Sequence, residues 1–275
     1  MQNKKKFMKN LSSIEDIEDE YVKSRLQELI KEDYALGIQI NGSRATGFAQ
    51  PKADWDGFLY VTEEYYSSLS HREIHILEFD ETVEPKRLLF DFLLITDKWM
   101  KERLDSPQDV EHYAFVEGKI IYDPTGKLKA WTKKIAQYPE EEHEIRLKAK
   151  YMLWRESLGF GLINEKREFE TNKNVNLHRA VLAAVHLWFT IKKSWTPPLK
   201  WWSFHVKKMG MDNNTYKLFE KIINKPDLED MKKLDIMFKE MIRETGFDFI
   251  DNMYDVYMEY YRANRNEAFH KHMYL

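Results

Sequence analysis

The feature that most constrains this chain is a change of hydrophobic period near Pro139. Before it, apolar residues fall in short runs that alternate or stay continuous over a few positions, the pattern of strands. After it, they recur every three or four positions over long stretches, the pattern of helices. A chain with two such halves is expected to fold as α+β: a small mixed sheet with flanking helices over 1–138, then an all-helical unit over 139–275. In the first half the spacing predicts a helix over 12–32, where Ser12 and Ser13 with Glu15 and Asp16 resemble a capping box. Strands are predicted over Ala35–Ile40, Gly57–Thr62, Glu73–Phe79, Leu88–Ile95 and Lys119–Tyr122, with a helix over Thr96–Leu104. The second half predicts helices over Glu140–Asn164, Val175–Lys193, Thr215–Ile223, Leu228–Glu244 and Phe247–Asn264, with a break at Trp195-Thr196-Pro197-Pro198.

Composition narrows the chemistry. The 275 residues are 43% hydrophobic, enough to fill two cores. There is no cysteine, which removes disulfides, thiolate metal sites and thiol redox chemistry. Lys4, Lys5 and Lys6 precede no apolar run of signal-peptide length, and no membrane-length apolar run occurs, so a cytoplasmic protein without membrane contact is expected. The net charge of -3 conceals a basic stretch: residues 148–210 hold twelve Lys or Arg against four Glu and no Asp. Such a stretch is usually the solvated face of helices, and otherwise a surface for a polyanion such as a triphosphate.

The residues that carry chemistry lie in the first half. Asp54 and Asp56 are two apart where a strand begins, so their carboxylates share a face and can share a divalent ion. Upstream, Gly42 and Ser43 form a turn whose glycine permits close backbone approach, and whose hydroxyl and amides can donate to phosphate oxygens. Arg44 adds a charged fork. Asp91 interrupts the apolar run Leu88–Ile95, and a carboxylate there needs a cation or an open edge. Phosphate donors beside metal-binding carboxylates are the apparatus of in-line phosphoryl or nucleotidyl transfer.

The string Asn41-Gly42-Ser43-Arg44, followed by Asp54-Trp55-Asp56-Gly57-Phe58-Leu59-Tyr60-Val61 and the later Asp91, resembles the DNA-polymerase-β-type nucleotidyltransferase superfamily. It looks most like the aminoglycoside and lincosamide nucleotidyltransferases, in which a helical domain follows the sheet and shapes the acceptor site. Ile120 to Leu128 also resembles a turn of that branch, so the motif-level likeness spans about residues 36–128. The resemblance implies that Ser43 contacts a triphosphate, that Asp54 and Asp56 hold magnesium or manganese, and that Asp91 is a third ligand or the general base. It implies a transferase that moves a nucleoside monophosphate, AMP from ATP foremost, to a hydroxyl of a small molecule such as an aminoglycoside, with release of pyrophosphate. Gly57 departs from the pattern, where an aliphatic residue is usual, and either loosens the strand or makes room for a ligand.

The helical half yields fewer candidates. Lys200, between Pro197-Pro198 and Trp201-Trp202, could present an ammonium to a nucleotide whose base stacks on an indole, with Arg179 and Lys193 as weaker candidates. His178, His186 and His205 show no zinc-type spacing and read as core or boundary residues; His270 and His272 sit near the terminus and carry no assigned role. Glu111 and Glu156 are candidate acids for a cationic acceptor. Two other readings stand beside the small-molecule one. The acceptor could be RNA or protein, which the net negative charge disfavours for RNA, or the chain could be a non-catalytic nucleotide-binding regulator.

Overall fold

The computed structural model describes residues 11–263 and 267–273. Lys4, Lys5, Lys6 and the last residue of the helix expected over Phe247–Asn264 lie outside them. The chain divides into two compact units. The first runs up to Ser106 and resumes at Glu111–Gln137; the second is Pro107–Val110 with Tyr138 onward. The first is α+β with a five-stranded mixed sheet, and the second is helical.

In the first unit, helix α1 (Glu20–Leu29) precedes strand β1 (Ala35–Ile40), and a five-residue helix α2 (Gly42–Thr46) leads toward β2 (Trp55–Val61). Then come α3 (Glu63–Ser68), β3 (His75–Asp80), β4 (Arg87–Ile95), α4 (Asp97–Leu104), α5 (Asp109–Glu117, its first two residues in the second unit), β5 (Lys119–Tyr122) and α6 (Lys127–Ala136). The sheet order is β3-β4-β2-β1-β5, with β2 and β4 parallel and every other pairing antiparallel.

Alternation along the strands assigns the two faces. Leu59 and Val61 of β2 and Phe90, Phe92 and Leu94 of β4 join Val22, Leu26 and Leu29 of α1 in one buried cluster. Tyr60 of β2 and Ile95 of β4 join Met100 of α4, Phe115 of α5 and Leu128 and Ile135 of α6 in another, with Phe58 and Leu93 packed against it. β4 is therefore apolar on both sides, as a central strand covered on two faces must be. Asp56 and Asp91 stand on the second face where the burial is incomplete, both half-buried.

Several local outcomes differ from the periodicity. The helix expected over 12–32 is a 3-10 turn at Ile14–Asp16 followed by α1. The Asp16 carboxylate accepts from the backbone amides of Ser12 and Ser13, both at 2.9 Å, while Asp19 accepts from Val22 N at 3.2 Å. Two acidic caps in one segment give two starts. Helix α6 has no counterpart among the elements the spacing predicts. The Asp123 carboxylate accepts from the amides of Leu128 and Lys129, at 3.3 and 2.8 Å, so the turn seeds a helix.

In the second unit, α7 (His143–Lys166) and α8 (Glu170–Ile191) are the long elements, joined by α9 (Trp202–Lys208), α10 (Asn213–Asn224) and α11 (Leu228–Glu244). Trp154, Leu158, Leu187, Phe219, Leu234 and Phe238 belong to its core. The expected helix from Phe247 is interrupted. It runs as a 3-10 turn (Phe249–Asn252), a short α-helix (Met253–Val256) and a π-helical segment (Tyr257–Ala263). No helix among the described residues is long and apolar enough to cross a membrane.

This core also holds charge. Asp109, Arg146 and Lys150 are all buried. Asp109 pairs with Arg146 and accepts from the Thr196 hydroxyl at 2.6 Å. Burial alone would raise the Asp109 pKa, but His186, Arg146 and Lys150 together hold it far below the usual carboxylate range. Burial pushes Lys150 down to about 8.

Candidate active site

The two central acids of the motif are brought together by pairing. β2 and β4 run parallel with Asp56 in register with Asp91, which places their side chains next to each other on one face. Like charges on neighbouring strands repel. A cation between the two would relieve that repulsion.

The Gly42 turn closes on the same acids. Asn41 N donates to the Asp56 carbonyl at 2.8 Å, tying the end of β1 to the start of β2. Gly42 then takes φ +63°, and a Cβ built on it would fall 1.9 Å from Asp56 Oδ2. Only glycine lets the backbone come this near the carboxylate. The expected tight turn is thus the first residue of α2. The Ser43 carbonyl accepts from the Thr46 hydroxyl at 3.1 Å and from Phe48 N at 3.0 Å, which fixes the turn after it.

Beneath the turn lies a buried polar network that the motif does not announce. Gln39 is fully buried in β1, and its amide nitrogen donates to Asn41 Oδ1 at 2.7 Å and to the Ala114 carbonyl at 3.2 Å. The Thr132 hydroxyl donates to Gln39 Oε1 at 2.9 Å. With the Asn41 amide turned over, its nitrogen donates to Ala114 O at 3.1 Å, which ties Asn41 directly to α5. A primary amide is buried here because nearly all its capacity is satisfied.

Asp54 sits half-buried immediately before β2. Among the described residues, no three His, Asp or Glu side chains converge into a ready-made metal cage, so Asp54, Asp56 and Asp91 do not form a closed trio. Arg44 is held within the protein. Its Nη2 donates to the Ala53 carbonyl at 2.6 Å, and the guanidinium carbon lies 4.8 Å from the centre of the Trp55 ring. Burial lowers its pKa, against the attraction of Asp19 and Asp54. Arg44 thereby braces the loop that carries Asp54. Gly57 makes room for no ligand: the space where its Cβ would stand is filled by the Phe92 ring at 2.4 Å and the Gln39 carbonyl at 2.8 Å.

One residue at this site escaped the sequence reading. His75, in the edge strand β3, contacts Asp91 Oδ1 through Nε2. Nothing local marks it, since His75 is simply an exposed position of an alternating strand, and the contact arises from the β3–β4 register.

Lys200 belongs to the second unit, where its ammonium lies 4.8 Å over the Trp201 ring. Much of the basic stretch is internally paired: Lys148 with Glu144, Arg155 with Asp235, Lys173 with Glu165 and Glu170, Arg179 with Glu156, and Lys193 with Glu140. The candidate acids are engaged as well, Glu156 with Arg179 and Glu111 with Arg103.

The profile of a family described as a domain of unknown function (DUF4037) matches residues 108–202, a segment that contains none of the motif acids. No curated protein matches the sequence. A similar solved structure is that of a nucleotidyltransferase-like protein from Exiguobacterium sibiricum, at 13% identity and TM-score 0.46, with 88% of this chain and 80% of that chain covered.

Proposed function

We propose that the chain is a divalent-metal-dependent nucleotidyltransferase that moves a nucleoside monophosphate, AMP from ATP foremost, to a hydroxyl of a small molecule. The observation that carries this reading is the in-register pair Asp56 and Asp91 with the Gly42 backbone against Asp56. The donor set fits magnesium or manganese. Both are hard ions that take carboxylate oxygens, and magnesium is commonly held by only one or two protein carboxylates, with nucleotide phosphates and water completing the shell. When bound, such an ion neutralises the phosphates and makes the α-phosphorus more electrophilic.

The remaining work falls to the chain. Asp56 and Asp91, with Asp54 beside them, would hold the ion, and the Gly42-Ser43 turn would supply donors to the phosphates. In the transfer, the acceptor oxygen bonds to the α-phosphorus while the bond to the bridging oxygen of the β-phosphate breaks, so pyrophosphate leaves. The proton of the acceptor hydroxyl passes to solvent as its oxygen becomes nucleophilic. An aminoglycoside-like acceptor is supported by the motif resemblance. The internal pairing of the basic stretch supports a small molecule over RNA, because paired cations release fewer counterions on contact with a polyanion.

The test is pyrophosphate release from ATP and magnesium across a panel of hydroxyl acceptors, with Asp56→Asn as control. Release that needs both an acceptor and Asp56 supports the reading. No release across the panel, with ATP and magnesium bound, removes the small-molecule acceptor.

A further inference from the structure

Asp91 faces two neighbours. On one side it stands in register with Asp56 of β2; on the other, β3 brings Leu77 directly opposite it and His75 to the diagonal position two residues away. Diagonal positions on adjacent strands lie within reach of long and aromatic side chains, and the imidazole closes the gap to Oδ1. The side chain of His75 is 43% exposed, on an edge strand, so it is not placed there to fill a core. Asp91 is more enclosed, at 28%.

We propose that His75 is a positioning residue for the metal-binding carboxylate of Asp91, an inference that rests on the metal-dependent reading above. A carboxylate turns broadly about its last bond and has two equivalent oxygens. With Nε2–H donating to Oδ1, that rotation is fixed, and Oδ2 is left for an ion held jointly with Asp56. The neutral imidazole is sufficient for this, because only one N–H is used. Groups that orient a metal ligand in this way commonly alter metal affinity by about 10–100-fold when removed. His75 thus extends the site to the sheet edge, giving β3 a part in holding an ion that the motif assigns to β2 and β4 alone.

The experiment is direct titration of manganese into the full chain, read by the loss of free-ion paramagnetic resonance signal, for the wild type, His75→Ala, His75→Gln and Asp56→Asn. The expected result is about tenfold or weaker binding in H75A, recovery of most of the affinity in H75Q, which keeps an N–H donor, and loss of the site in D56N. Melting temperatures in chelator are expected to agree between the wild type and both His75 variants, which separates positioning from folding. Unchanged or tighter binding in H75A overturns the proposal, since His75 would then be idle or would compete with the ion. Equal binding by the wild type and D56N overturns the metal reading itself, and the role of His75 with it.

Discussion

Replacing Asp56 by Asn is expected to relieve a repulsion with Asp91 and to make the site useless for metal. Neighbouring parallel strands lie about 4.8 Å apart, and Asp56 and Asp91 are in register across that gap. Two unit charges at that separation repel by roughly 3 kcal/mol at an effective dielectric of 20 and by about 1 kcal/mol in water. Both groups are partly exposed and His75 sits against Asp91, so the lower figure applies. Asn keeps the shape and one oxygen of Asp56, so the Gly42 contact survives while the repulsion goes. A gain of about 1 kcal/mol raises the melting temperature of a unit this size by roughly 3–6 °C. Manganese at a hundred times its dissociation constant should stabilise the wild type by about 2.7 kcal/mol and D56N not at all. Calorimetry in chelator and in excess manganese reads both effects. If D56N melts below the wild type in chelator, and manganese leaves the wild type unmoved, the apposed carboxylates are not a metal site held together against their own repulsion.

Three other outcomes follow from the same structure. Gly42→Ala puts a methyl group 1.9 Å from Asp56 Oδ2 at a φ of +63°, and the displaced carboxylate should lower turnover on the order of 100-fold, as steady-state kinetics would show; turnover near wild type would mean that Asp56 does not need its present position. Gly57→Ala drives a methyl group into the Phe92 ring and the Gln39 carbonyl, and should cost about 1–3 kcal/mol in urea denaturation, whereas a smaller loss would show that the sheet yields there. In the second unit, burial and then the nearby Arg146 charge push His272 from 6.5 down to about 3, opposed by Glu142. The folded state thus binds fewer protons than the unfolded between those values, so the His272 contribution is fully present above pH 6.5 and is lost as pH falls toward 3; His272→Gln should flatten that slope in denaturant titrations at stepped pH.

What the sequence made legible was local. Asp91 stood out because a strand apolar on both faces has no ordinary place for a carboxylate, and the change of period at Pro139 marked where strand patterning stops. What it hid was long-range. That Gly42 lies against Asp56 depends on the β1–β2 pairing, and that His75 meets Asp91 depends on the β3–β4 register; neither is written in the spacing of nearby residues. Gly57 looked like space for a ligand because its counterpart, Phe92, is 35 positions away along the chain. Lys150 read as part of a basic helix face, yet it is buried with Arg146 and Asp109, the last of which the chain contributes from before the sheet is complete. That Arg44 braces its loop was hidden too, because the carbonyl that holds it, on Ala53, lies across a loop of no regular structure.

The most direct measurement is the position of manganese, by anomalous scattering, in crystals of the full chain grown with a non-hydrolysable ATP analogue. The expected result is an anomalous peak between the carboxylates of Asp56 and Asp91, with the triphosphate of the analogue lying along Gly42 and Ser43. A peak away from both aspartates, or a triphosphate bound elsewhere with Asp56 and Asp91 facing only water, would contradict the assignment of this pair as the catalytic metal site.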